Sequence, residues 1–364
     1  MVDSPARLTL PENEPRALEL VGGEHPLAEL MSGLTRRDVE DALAAMAQLD
    51  VAVVGETIID EYVYCDVLGK SGKDPVMNVR YKSCERQLGG VLAIANHLAA
   101  FAKHVRVASA IGEHREHEAF ILSGLAPNVS VQLLGARGAP TIVKQRYLDA
   151  YSIAKFFGVY HIDDEPLGAQ DELDFRASMQ SALDASDVAV VADYGHGLLS
   201  ARCVEDLCSA KPFLCVNTQI NAANAGYHVV SRYPRADFAC VHEGELRLDA
   251  RDKLSTVDTL TRRLCERLSA QAVLVTLGKL GTHLYDRGDG VVLCPALAGK
   301  VVERVGAGDA VLAVTSLAVA SGVDRRLASV FGNLAGAQVV ATVGNRHAVC
   351  KRRLASDALR LVGG

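Results

Sequence analysis

Val305-Gly306-Ala307-Gly308-Asp309 runs directly into Ala310-Val311-Leu312-Ala313-Val314. Small residues ahead of an acid, followed by an apolar helical run, describe a helix N-terminus left open to an anion. Glycine lets the backbone turn sharply and bring its N–H groups close to a ligand. Those amides, with the positive end of the helix dipole, favour phosphate charge. Asp309 beside such a site would repel the anion, unless it takes a proton from an attacking hydroxyl while the amides of Gly306, Ala307 and Gly308 hold the phosphoryl group in flight. The other reading is a Gly-Ala-Gly turn with Asp309 as a helix cap.

Upstream, apolar segments end in acids or glycines at regular intervals. Val51 to Val54 reads as a buried strand ending at Gly55-Glu56, with Asp60 just beyond. Gly89-Gly90 opens a helix. Val188 to Ala192 is a fully apolar strand ending at Asp193-Tyr194-Gly195-His196-Gly197, and Val241 is followed by His242-Glu243-Gly244-Glu245. Ala272 to Leu277 leads into a turn with Thr276, Gly278 and Gly281. Strands alternating with helices in this way predict a layered α/β domain with ligands at the carboxyl ends of its strands. Each acid also has an ordinary reading, as a turn residue or in a first helical turn favoured by the dipole.

Between Tyr62 and Ser83 the pattern changes to apolar–polar alternation around Gly69-Lys70-Ser71-Gly72-Lys73. This predicts a small β lid at about residues 61–84 inserted into the main body. Lys144 and Arg146 alternate on one face of a later strand, so both can reach one anion; a solvated sheet face is the ordinary alternative. Residues 1–34 lack sustained periodicity and read as a loosely ordered arm, with one α/β unit over 35–364. Thr35 is placed as a helix cap.

Several classes are excluded or disfavoured. A P-loop needs glycine five residues before Gly69, where Tyr64 stands, and Gly55 is alone where a dinucleotide fingerprint needs three glycines. A net charge of −6 argues against a nucleic-acid surface. Nine cysteines without a C-x-x-C pair read as reduced thiols. The longest apolar run, Ala310 to Ala320, is too short to span a bilayer, and no secretory leader is evident, so a cytoplasmic protein is expected.

The order of lid, Gly-Gly helix, strand-end acids and terminal Gly-Ala-Gly-Asp resembles the ribokinase-like (PfkB) carbohydrate kinases, from about Leu49 to Val343. Gly306 to Asp309 is similar to that family's C-terminal signature, and Gly89-Gly90 to its N-terminal one. Val53 to Tyr62, Pro140 to Arg146 and Asp193 to Gly197 further resemble the D-glycero-D-manno-heptose 7-phosphate kinases. The resemblance implies a ribokinase-like α/β/α fold with a central, mostly parallel sheet, and transfer from ATP with Mg2+ to the anomeric hydroxyl of a phosphorylated heptose. Asp309 would be the base, with Asp60 and Gly89-Gly90 on the sugar and Asp193 near it. Lys144 or Arg146 would meet the sugar phosphate, and Glu245 would join the Mg2+ shell. Thr276, Gly278, Gly281 and Asn333 would lie near the nucleotide. Those kinases carry an asparagine where this chain has Ala93 and Asn-x-x-Glu where it has His242-x-x-Glu245. They have Asp and Thr or Ser where Glu303 and Val305 stand. These departures bear on the exact sugar and on whether a monovalent cation such as potassium is used. Rival expectations are a kinase of another sugar or nucleoside, and a weakened member with a binding or regulatory role. The lid edges are expected to suit a homodimer.

Overall fold

The computed structural model describes residues 24–221 and 224–362. Helices Glu24–Leu30 (α1) and Arg36–Met46 (α2) come first; Thr35 caps α2 in a reciprocal box with Asp38. Most of the expected arm, residues 1–23, lies outside the described residues. Its last part differs from expectation, because Leu27 and Met31 are buried in the main core and draw the chain into a helix there.

Strand Asp50–Gly55 (β1) is followed by two long strands, Thr57–Lys70 (β2) and Met77–Gly90 (β3), and helix Val91–Ala99 (α3). Then come His104–Gly112 (β4), Glu118–Gly124 (α4), Val129–Ala136 (β5), Ile142–Asp149 (β6) and Lys155–His161 (β7). The middle third holds Ala169–Asp184 (α5), Val188–Asp193 (β8), Ala201–Ser209 (α6) and Phe213–Thr218 (β9). Beyond it lie Phe238–His242 (β10), Glu243–Ala250 (α7), Val257–Arg267 (α8), Ala272–Thr276 (β11), Thr282–Asp286 (β12) and Gly290–Cys294 (β13). Helices Ala307–Ala320 (α9), Arg325–Val340 (α10) and Lys351–Val362 (α11) complete the chain.

Nine strands form the central sheet in the order β13-β12-β11-β10-β9-β8-β1-β4-β5. It is parallel except for the antiparallel edge strands β12 and β13. Separate apolar clusters cover its two faces, one including α3, α9, α10 and α11, the other α5, α6 and α8. The uninterrupted valine and alanine runs of β1 and β8 fit strands buried on both sides. Between these two neighbours the strand order reverses, and such a reversal opens a crevice at the carboxyl ends. Gly55-Glu56 and Asp193-Tyr194 stand at that crevice.

The lid is larger than its sequence suggests. A second sheet has the order β3-β2-β6-β7, in which β6, carrying Lys144 and Arg146, pairs in parallel with β2. Two segments far apart in the chain therefore build one layer. None of the helices among the described residues is long and apolar enough to cross a membrane, and all nine cysteines are free.

Candidate active site

Helix α9 is apolar on every side, with each position from Ala310 to Val319 buried. Packing on all faces fixes its axis, so its N-terminus has a defined aim. Gly306 caps it at φ 80°, a left-handed conformation, and a Cβ there would run into the Asn345 side chain. Among the described residues no side chain caps the helix start; the Ala307 N–H turns back to the Arg304 carbonyl at 3.4 Å, and the other first-turn amides have no partner within the helix.

Asp309, in the first turn, accepts a hydrogen bond from the Tyr194 hydroxyl at 3.0 Å. Burial pushes its carboxyl up to about 7, only partly opposed by that hydrogen bond. The Tyr194 backbone is itself held: the buried Glu56 carboxylate accepts from the N–H groups of Tyr194 at 2.9 Å and His196 at 3.0 Å. Burial, followed by the nearby Asp193 charge, raises Glu56 to about 7.

On one side of Asp309 lies a cavity of about 510 Å³. Thr276, Gly278, Gly281, Asn333, Glu245, Ala307 and Gly308 line it together with Asp309. Its size suits a small organic ligand. Asn333 donates to the Thr282 hydroxyl at 2.7 Å, joining α10 to β12 along the wall. Lys279 and Arg304 also line this cavity, and neither has an ion-pair partner among the described residues. Glu245 accepts from the N–H groups of His242 at 2.7 Å and Ile220 at 3.1 Å, and burial raises its carboxyl. His242 forms a capping box with it, so the residue that departs from the family pattern supports the helix start. Among the described residues there is no cluster of three or more metal-ligating side chains. Glu245 keeps free lone pairs for a metal-bound water, so a cation held mainly by ligand phosphates fits this wall.

On the other side, within the lid sheet, Asp60 of β2 is buried and paired with Arg146 of β6. Asn345 donates to it at 3.4 Å. Gly89 lies against Asp60 so closely that a Cβ would collide with its carboxylate, and a Cβ on Gly90 would strike the Glu56 carbonyl. Lys144 is only 7% exposed. Its ammonium sits 5.8 Å from the ring centroids of Tyr160 and Tyr194, with no ion pair among the described residues. Burial lowers its pKa, against the pull of Asp60 and Asp309. The solvated-face alternative for Lys144 and Arg146 is therefore excluded.

Asp193, expected near the sugar, is held by core partners instead. Its carboxylate is buried and saturated by Arg232 at 2.6 Å, the Tyr233 hydroxyl at 2.8 Å and His228 at 3.1 Å. Burial alone would raise it, but His228 and Arg232 outweigh that and hold it below the usual carboxylate range. Tyr194, Glu56, Asn345, Arg304 and Lys279 were not singled out as site residues from sequence. Glu56 and Tyr194 stand at strand ends, and Arg304 and Lys279 are basic residues beside the Gly-Ala-Gly and Gly278–Gly281 turns; Asn345 leaves no such signal.

Comparison with known proteins bears on the family and the fold. The profile of the pfkB family carbohydrate kinases matches residues 48–351. A bifunctional protein HldE of Koribacter versatilis is 30% identical over 298 residues, covering 81% of this chain and 60% of that protein. The chain thus spans about three-fifths of the length of that relative. Two solved structures share the fold. Escherichia coli phosphofructokinase-2 in complex with potassium has a TM-score of 0.68 and 15% identity, covering 86% of this chain and 99% of that one. Arabidopsis thaliana ribokinase complexed with ribose and ATP has a TM-score of 0.60 and 17% identity, covering 87% and 99%. With the matched region running from the strand before Gly55 to the start of the last helix, the chain belongs to the pfkB family of carbohydrate kinases.

Proposed function

We propose that this carbohydrate kinase moves the γ-phosphoryl group of ATP to the anomeric hydroxyl of a phosphorylated heptose. The observation that carries the reading is Asp309: a carboxyl that burial raises to about 7, in the first turn of α9, lining the cavity and held by the Tyr194 hydroxyl. A base whose pKa lies close to the working pH combines adequate basicity with a useful ionised fraction. In this mechanism Asp309 accepts the proton of the acceptor hydroxyl. The amides of Gly306, Ala307 and Gly308 stabilise charge on the transferring group. Arg304 and Lys279 attract the nucleotide phosphates. Mg2+, when bound, would neutralise phosphate oxygens, with Glu245 holding one of its waters. Asp60, oriented by Arg146 and Asn345, would accept from sugar hydroxyls. The lid would exclude water that could otherwise take the phosphoryl group.

The assignment of a phosphorylated acceptor rests on Lys144, a buried cation without a carboxylate partner among the described residues. The Arg146 charge is already met by Asp60, and that favours a second reading, an uncharged sugar or a nucleoside. Turnover from ATP across a panel of sugars and sugar phosphates separates the two. Lys144→Ala is expected to raise KM for the sugar phosphate about tenfold or more, as loss of a charged contact does. It should leave KM for an uncharged acceptor nearly unchanged. Preference for uncharged sugars, or an unaltered KM in the variant, would reject the phosphorylated acceptor.

The reading includes a dimer through the lid. Val67, Leu68, Val76, Met77, Tyr81 and Phe157 are exposed large apolar residues on lid strands or their connecting turn, a concentration of the kind that marks association surfaces. Light scattering is expected to give twice the chain mass, and a Leu68→Glu/Met77→Glu double variant to return it to one. A monomeric wild type would remove this element.

A further inference from the structure

Glu303 stands three residues before the helix cap Gly306 and is 8% exposed. One carboxylate oxygen accepts from the Gly344 N–H at 2.8 Å, and the other is paired with the ammonium of Lys155. Lys155 begins β7, the outermost strand of the lid, and reaches down from it into the main body. Around this pair the surface is rich in oxygen. Asn345 Oδ1 and Gln87 Oε1 are buried without hydrogen-bond partners among the described residues. Gly344 lies so close to Gln87 and the Tyr62 hydroxyl that it has no room for a Cβ, and Gly306 stands in the same relation to Asn345.

The cluster lies directly behind the loop whose amides face the transferring phosphoryl group in the proposed mechanism. Without Lys155 it would hold one uncompensated negative charge and several unpartnered oxygens. A buried carboxylate in that place opposes an incoming anion and is itself costly unless paired. The Val305 side chain adds no oxygen. The Lys155 ammonium already neutralises Glu303, so an external monovalent cation would meet a like charge at its main ligand. The residues therefore do not fit a bound potassium ion while Lys155 is in place.

We propose that the Lys155 ammonium acts as a built-in monovalent cation at Glu303. It neutralises the charge behind the anion-binding loop, making turnover independent of potassium and dependent on a seated lid. Lys155 is then a positioning residue, since it acts through Glu303 and the loop. The inference rests on the kinase reading above, but one arm of its test does not.

Wild type, Lys155→Met and Lys155→Arg would be compared in potassium chloride and in choline chloride at equal ionic strength, by turnover and by thermal midpoint. The wild type is expected to show the same kcat and the same midpoint in both salts. Lys155→Met should lose about tenfold or more of its kcat in choline. Potassium should restore part of that loss and raise the midpoint, because the vacated oxygens now accept a cation. Lys155→Arg, which keeps the charge, should remain indifferent to the salt. A wild type activated several-fold by potassium would overturn the proposal. So would a Lys155→Met variant that matches wild type in choline, or one whose midpoint ignores potassium. The midpoint needs no turnover, so it reports on the internal cation even if no sugar proves to be a substrate.

Discussion

Asp309→Asn is expected to lower kcat by about 10²–10⁴-fold, the range in which a positioned general base contributes. KM for ATP should change little, because the cavity wall and the helix amides stay in place. The pH dependence carries the same signature. With Asp309 near 7, wild-type kcat/KM should fall as the pH drops through neutrality, and the residual activity of the variant should lack that limb. Tyr194→Phe removes the hydrogen bond that partly holds the Asp309 carboxyl down, so its limb should move to higher pH. Stability should respond in the opposite sense to activity. The native state keeps a proton on Asp309 up to about 7, whereas an unperturbed aspartate releases it near 3.8. Ionising Asp309 therefore opposes folding, increasingly so between those two values. Asp309→Asn should raise the unfolding midpoint at about pH 8 and leave it nearly unchanged at about pH 4. A variant with near-normal kcat, or one destabilised at high pH, would reject the assigned role.

Asp193→Ala is expected to have the largest effect on stability, about 3–5 kcal/mol, the cost of breaking a buried ion pair from one side. Its removal leaves Arg232 and His228 without the carboxylate and Tyr233 without an acceptor. The effect should not stay local, since Asp193 adjoins Tyr194, whose hydroxyl touches Asp309. Denaturant titration should show the midpoint falling with little change in slope. A contact with substrate alone would instead leave the midpoint in place and raise KM. Asp193→Asn, which keeps the shape but not the charge, should fall between wild type and alanine.

Much of the architecture was legible in the sequence because buried parallel strands and a wholly apolar helix leave strong local patterns. Val188 to Ala192 and Ala310 to Val319 announce their own burial. The carboxyl-end acids could be placed for the same reason: a strand's end is a local fact. What could not be read is which of those acids faces the crevice and which faces inward. Asp60 and Asp193 look alike in sequence, yet Arg146 meets one within the lid sheet and Arg232 locks the other into the core. Partners 115 and 148 residues apart, Tyr194 with Asp309 and Lys155 with Glu303, arise from topology and leave no local mark. The lid was underestimated for the same reason, since β2 and β6 pair across the whole β4–β5 unit. The end of the expected arm was misjudged because two isolated apolar residues, Leu27 and Met31, suffice to dock a short helix.

Helix α9 offers evolution almost no freedom. Ten successive positions without a solvent-facing side mean that nearly any replacement creates a cavity or a clash. The lid is the reverse, since β3 and β7 expose most of their side chains. Mutational drift can therefore reshape the second sheet while the end of α9 stays fixed. A chain divided in this way can exchange one acceptor for another without rebuilding its chemistry.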